Sequence, residues 1–267
     1  MDTTMASSRK RHDQLAIPTF RRRPDKNRQW RGAPRYADLT PVERRKAKKR
    51  GPKPKGPRAS EAHRVRPELK ASHPVHVILR AVGDIGSLRK HAVFRAMREA
   101  TRTIALREGA FRIAHYSIQR THIHLIIEAG DKMALARGMQ GFGISTARHI
   151  NRELGPWRGK QRRKGSVFAD RYHAVVLTTP KQVRHTLCYV LNNWKHHGET
   201  TASLRGHWDV DPYSSAMSFD GWVEAAVIAP VEYLTPMVWE PQTWLLRVGW
   251  KCHGLISIHE VPGAGAE

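Results

Sequence analysis

His122 and His124 flank Ile123 in Thr121-His122-Ile123-His124-Leu125-Ile126-Ile127-Glu128, a run whose apolar content predicts a buried β-strand. Side chains alternate along a strand, so His122, His124, Ile126 and Glu128 share one face while Ile123, Leu125 and Ile127 share the other. Two neutral imidazoles standing side by side can bind one divalent cation. The same pair also describes two polar residues on a solvated strand face, so chemistry there needs further groups. Tyr189 and Asn193 are candidates. At about 100° per residue they fall together on one side of a predicted helix, about 100° or more from its apolar stripe of Val183, Leu187, Val190, Leu191 and Trp194. A tyrosine off the stripe is either ordinary exposed surface or a group with a task of its own.

The elements that must position these residues are legible around them. Val75 to Arg80 reads as a strand, Gly83-Asp84-Ile85-Gly86 as a turn, and Leu88 to about Glu108 as a helix with Val93, Met97, Ala100 and Ile104 inward and Gly109 closing it. Phe111 to Ile118 is a second strand, joined through the tight Gln119-Arg120 connection to the histidine strand, which makes the two antiparallel neighbours. A second helix is predicted from about Met133 to Leu154, weakened by Gly138, Gly141 and Gly143 at about 1 kcal/mol each relative to alanine. Gly155 to Gly165 is a loop carrying Arg158, Lys160, Arg162, Arg163 and Lys164, either solvated or gripping backbone phosphates. Val167 to Leu177 reads as a fourth strand, and Thr179 caps a helix that begins at Pro180 and ends near Gly198. The order β-α-β-β-α-β predicts an α+β, ferredoxin-like sheet with both helices on one face and an added C-terminal helix. His122 and His124 are then expected on the open face.

The chain has 267 residues, a formal net charge of +24 and a pI near 10.9. That excess points to a polyanionic partner, nucleic acid before membrane, since no apolar run of about 18 residues is present. No apolar leader is evident, and two separated cysteines, Cys188 and Cys252, suit a reducing compartment without a disulfide framework. A cytoplasmic, nucleoid-associated protein is the expectation. Residues 1–72 hold roughly +15 of the charge and few large aliphatics, which predicts a disordered basic tail with salt-sensitive affinity for DNA or RNA. Within it, Lys49 to Arg58 is an Arg/Gly/Pro stretch suited either to a minor groove or to a solvated linker. Residues 201–267 form a Trp-rich extension whose five tryptophans either pack as an apolar flap or stack on bases.

Pro74-Val75-His76-Val77, His122-Ile123-His124-Leu125, Val167-Phe168-Ala169-Asp170-Arg171-Tyr172-His173 and Tyr189-Val190-Leu191-Asn192-Asn193-Trp194 together resemble the single-tyrosine HUH transposases. Within that superfamily the chain is most similar to the bacterial REP-associated tyrosine transposases, over about residues 73–200. Asp211-Pro212-Tyr213-Ser214-Ser215-Ala216 and Phe219-Asp220-Gly221-Trp222 look like tails found on some members. The resemblance implies that His122, His124 and Asn193 bind a divalent metal, Mg2+ or Mn2+. It implies Tyr189 as the nucleophile of single-stranded, hairpin-bearing DNA cleavage and rejoining through a 5′-phosphotyrosine. Gln119-Arg120-Thr121 departs from the Met-Pro-polar pattern many relatives carry there. Tyr172 is the rival nucleophile, without a ligand one turn away. Monomer and homodimer both stay open, as do a non-catalytic nucleic-acid-binding module and, less favoured by the element order, a metal hydrolase barrel.

Overall fold

A computed structural model of the protein describes residues 40, 68–105, 110–154, 163–196, 208–225 and 238–261. Everything below concerns the unit Lys55–Glu267; the Lys49 to Arg58 stretch lies outside the described residues, as does the expected basic tail before residue 68 apart from residue 40. Four strands, β1 (Val75–Arg80), β2 (Phe111–Ile118), β3 (His122–Ala129) and β4 (His173–Val176), form one sheet in the order β2-β3-β1-β4. Every neighbouring pair is antiparallel. Helices α1 (His91–Ala105) and α2 (Lys132–Glu153) fall between β1 and β2 and between β3 and β4, so the β-α-β-β-α-β order stands.

Alternation decides which face each strand buries where. Val75, Val77 and Leu79 join Ile123, Leu125 and Ile127 under α1 and α2, against Val93, Phe94, Met97, Leu135, Met139, Phe142 and Ile150. Asp131 caps α2 by accepting hydrogen bonds from the amides of Met133 and Ala134, satisfying two of the donors a helix start leaves open. Gly138, a cost to the helix in isolation, has a packing reason. A Cβ there would lie 2.1 Å from the Phe111 ring on β2, so glycine is what lets helix and strand close together.

Two expected boundaries move. The first helix begins at His91 instead of Leu88, and its described part ends at Ala105; Gly109 lies outside the described residues. The fourth strand is four residues, not eleven. Val167 is buried in the helix-side core and Phe168 makes a lone bridge to Ala81, so this stretch follows the sheet without joining its ladder until His173. Sequence apolarity cannot separate a laddered strand from a packed extended segment, because both bury the same side chains.

The other face of the sheet is covered, where an open face was expected. Helix α3 (Pro180–His196) packs Val183, Leu187, Val190 and Leu191 against Ile126 of β3 and Ala114 of β2. Its start is a reciprocal capping box: Thr179 Oγ1 accepts from the Gln182 amide, and Gln182 Oε1 accepts from the amides of Thr178 and Thr179. Over α3 lies the C-terminal extension, including a short helix α4 (Trp244–Arg247) and a 3-10 turn at Gly249–His253. Trp222 and Trp250 are buried in this second core, with Trp250 Nε1 donating to the Leu246 carbonyl and Trp222 Nε1 to that of Ala216. Trp244 is 62% exposed.

The extension also closes the β2 edge. Ile118 donates to the Tyr213 carbonyl, Tyr116 to Ser215 Oγ, and Trp239 to the Ile113 carbonyl. Unpaired edge groups would otherwise invite another chain to pair. Asp211 anchors this segment by a two-pronged ion pair, both contacts at 2.9 Å, with Arg89 just ahead of α1.

Candidate active site

The two histidines are set by a tight hairpin. Gln119 N–H donates to the His122 carbonyl at 2.8 Å, closing the turn and fixing His122 as the first residue of β3. The β1–β3 register then places His122 opposite Arg80 and His124 opposite Ile78, all on the face that α3 approaches. The ring centroids of His122 and His124 are 4.7 Å apart. His122 is half-buried, whereas His124 is only 1% exposed, because α3 lies over it.

Tyr189 comes from α3, half-buried, its ring 5.2 Å from that of His124 at an interplanar angle of 90°. Asn193 follows one turn later on the same helix and is wholly buried. Among the described residues neither its amide nitrogen nor its amide oxygen has a hydrogen-bond partner. A buried, unsatisfied amide costs about 1–3 kcal/mol, which a fold tolerates where the group has another use. The other sides of α3 explain why the helix sits where it does. Arg184 makes a two-pronged pair with Glu260 at 2.8 and 2.9 Å and donates to the carbonyls of Gly254 and Leu255. Asn192 Nδ2 donates to the carbonyls of Ser257 and Glu260.

A further histidine, unassigned by the sequence reading, belongs to the same cluster. His76 of β1 contacts His124 Nδ1 through its Nε2 at 3.0 Å, and its ring lies 6.2 Å from that of Tyr189. Burial, with a smaller contribution from His173, lowers its pKa to about 4. Period-two alternation puts His76 on the histidine-facing side of its strand, but which strand it neighbours, and in what register, is tertiary information.

Not every expected residue converges here. Arg158, Lys160 and Arg162 lie outside the described residues. Arg163 is engaged within the domain, donating to Asn151, Asp84 and the Ser166 carbonyl, while Lys164 is exposed. Glu128, on the histidine face as alternation requires, is used structurally: its carboxylate accepts from the amides of Gln242 and Thr243 and from Arg112. Tyr172 packs against the core beneath α1 and α2, the opposite side of the sheet from Tyr189. Among the described residues no group of three or more His, Cys, Asp or Glu is arranged to hold a metal ion. The buried amide of Asn193, one turn from Tyr189, is a neutral oxygen donor of the kind that could join the histidine pair.

A family model described as "Transposase IS200 like" matches residues 70–193, a span that runs from just before β1 to Asn193. Residues 70–193 are an IS200-like transposase domain. That match supports a DNA transposase, and the matched span contains the four-stranded sheet, His122, His124 and Tyr189. Among solved structures, one titled "Structure of the REP associates tyrosine transposase bound to a REP hairpin" is 13% identical with a TM-score of 0.46, covering 68% of this chain and 93% of that one. No curated protein matches the chain. Among the described residues no helix is long and apolar enough to cross a membrane.

The transposase domain carries a second buried histidine, away from the tyrosine. His115 of β2 is 6% exposed, edge-on to Phe219 at 5.5 Å, and burial lowers its pKa to about 4 against opposing contributions from Asp220 and Glu128. The unfolded chain protonates this ring near pH 6.5, the folded one only near 4, so unfolding takes up a proton in between. Stability contributed by neutral His115 is constant above pH 6.5 and is lost as pH falls towards 4, by roughly 3 kcal/mol in all. Urea unfolding at pH 7.5 and 4.5 is expected to show a smaller pH loss in His115→Gln than in wild type; equal losses would refute the assignment.

Proposed function

We propose that this transposase cuts and rejoins single-stranded, hairpin-bearing DNA by transesterification, as the REP-associated members it resembles imply. Tyr189 is the nucleophile, and His122, His124 and Asn193 hold a divalent cation, Mg2+ or Mn2+. The observation that carries this reading is the buried amide of Asn193, without a hydrogen-bond partner among the described residues, one turn beyond a tyrosine whose ring meets His124. Two imidazoles and an amide oxygen form a neutral donor set that leaves the cation's charge available to phosphate. When bound, such a cation polarises a non-bridging phosphate oxygen and orients the scissile group.

The chain's own residues do the rest. Tyr189 Oη forms a bond to phosphorus as the bond from phosphorus to the 3′-oxygen breaks. The phenol proton is lost, and the leaving oxygen gains one to become a free 3′-hydroxyl. The product is a 5′-phosphotyrosine, which keeps the bond energy for rejoining without a nucleotide triphosphate. Arg80, exposed and directly across the ladder from His122, and the exposed Lys164 are suited to meet backbone phosphates.

The test is incubation of the full chain with labelled single-stranded hairpins from the flanks of its own coding sequence, with Mn2+ or EDTA, read by denaturing electrophoresis. A metal-dependent covalent adduct supports the reading. Shifted but uncut DNA across several flanking hairpins would favour a binding module instead. Asn193 gives a second, opposed pair of readouts. Asn193→Leu is expected to abolish metal-dependent cutting while raising the stability of the metal-free protein by about 1–3 kcal/mol, since it removes two unsatisfied buried polar atoms. Wild-type cutting in Asn193→Leu would exclude Asn193 as a ligand.

A further inference from the structure

Resting on the proposed metal site, we infer that His76 is a positioning residue for His124, holding its ring in the tautomer that leaves Nε2 as the metal-binding nitrogen. The rings of His76 and His124 have centroids 5.2 Å apart and lie 20° from parallel. With a nitrogen-to-nitrogen distance of 3.0 Å, they meet edge to edge in one plane, the geometry of an N–H···N hydrogen bond, not of face-to-face stacking. One of the two facing nitrogens carries the proton and the other accepts it. If His124 Nδ1 carries the proton, its Nε2 has the lone pair that a cation needs. If His76 Nε2 carried it, the proton of neutral His124 would sit on its Nε2 and block coordination there.

His122 has the same arrangement with a different partner. Its Nδ1 lies 3.2 Å from the hydroxyl of Thr121, so both histidines of the pair are gripped at Nδ1. The partners differ in permanence. Thr121 is exposed and competes with water, whereas His76 is held in the middle of the sheet, its backbone in register with Ile126 of β3 and Val175 of β4. A partner anchored by ladders on both sides of its strand orients its ligand before any cation arrives. Such outer partners commonly account for 10–100-fold in metal affinity.

Two measurements on the full chain decide this. In the metal-free protein, long-range proton–nitrogen correlation spectra of the histidine rings are expected to show His124 with its proton on Nδ1. They are expected to show the same in His76→Gln, whose side-chain oxygen can accept that proton, and a mixture of tautomers in His76→Phe. By Mn2+ titration, His76→Phe is expected to lose 10–100-fold in affinity, and His76→Gln to recover to within a few-fold of wild type. A wild-type His124 protonated on Nε2, unchanged Mn2+ affinity in His76→Phe, or no recovery in His76→Gln would each overturn the inference. Failure of the wild type to bind Mn2+ at all would instead overturn the metal site itself, with the tautomer result standing separately. The wild-type spectrum and His76→Gln keep the test open if His76→Phe folds poorly.

Discussion

Tyr189→Phe is expected to bind flanking hairpin DNA within about threefold of wild type and to form no covalent adduct. The substitution removes one oxygen and keeps the ring, so the edge contact with His124 at 5.2 Å and the packing of α3 survive. What disappears is the oxygen proposed to bond to phosphorus. A free phenol is ionised to about one part in a thousand at neutral pH, a deficit of about 4 kcal/mol that the site must offset, and a phenyl ring offers nothing to activate. Tyr172→Phe is the matched control. Tyr172 packs on the helix-covered side of the sheet, so its loss should leave the adduct unchanged. Persistence of the adduct in Tyr189→Phe, or its disappearance in Tyr172→Phe, would reassign the nucleophile.

The largest stability effect is expected from Asp211→Ala, about 3–5 kcal/mol, because it strands a buried guanidinium. The Arg89 and Asp211 side chains are 7% and 0% exposed. Arg89 also donates to the Ile118 carbonyl and lies 4.7 Å over the Tyr213 ring, while Asp211 Oδ1 accepts from the Tyr213 amide. Removing one member of a buried pair leaves the other charged, desolvated and uncompensated, and that costs more than the pair itself contributes. The damage should spread to the sheet edge, since the same segment supplies the partners of Tyr116 and Ile118. Urea unfolding would read the loss directly. Arg89→Met in the Asp211→Ala background should restore part of it, because the orphaned charge is gone. A cost below about 1 kcal/mol for Asp211→Ala, or no restoration in the double variant, would show that the pair is solvated and the edge held by other contacts.

These two predictions draw on different kinds of information. The sequence by itself determined that His122 and His124 share a strand face and that Tyr189 and Asn193 share a helix face. Both facts follow from backbone periods of two and 3.6, which act over a few residues. The same local physics determined β2, α2 and the Thr179 cap to within a residue or so. It located the glycine at 138 but only its cost; the Phe111 ring that requires it is 27 positions away. The fourth strand was overextended because burial reads the same in sequence whether or not a ladder forms.

Only the tertiary structure decided that α3 returns across the histidine face and makes His124 a buried group. Arg184 and Asn192, which lock the C-terminal extension to that helix, and Asp211, which ties it to Arg89 ahead of α1, have partners 76, 65 to 68 and 122 positions away. Contacts at such separations leave no period for the sequence to display. The partnership of His76 with His124 is of the same kind. Alternation assigns each histidine a face, but the antiparallel register of β1 on β3 sets a 3.0 Å contact between rings 48 residues apart.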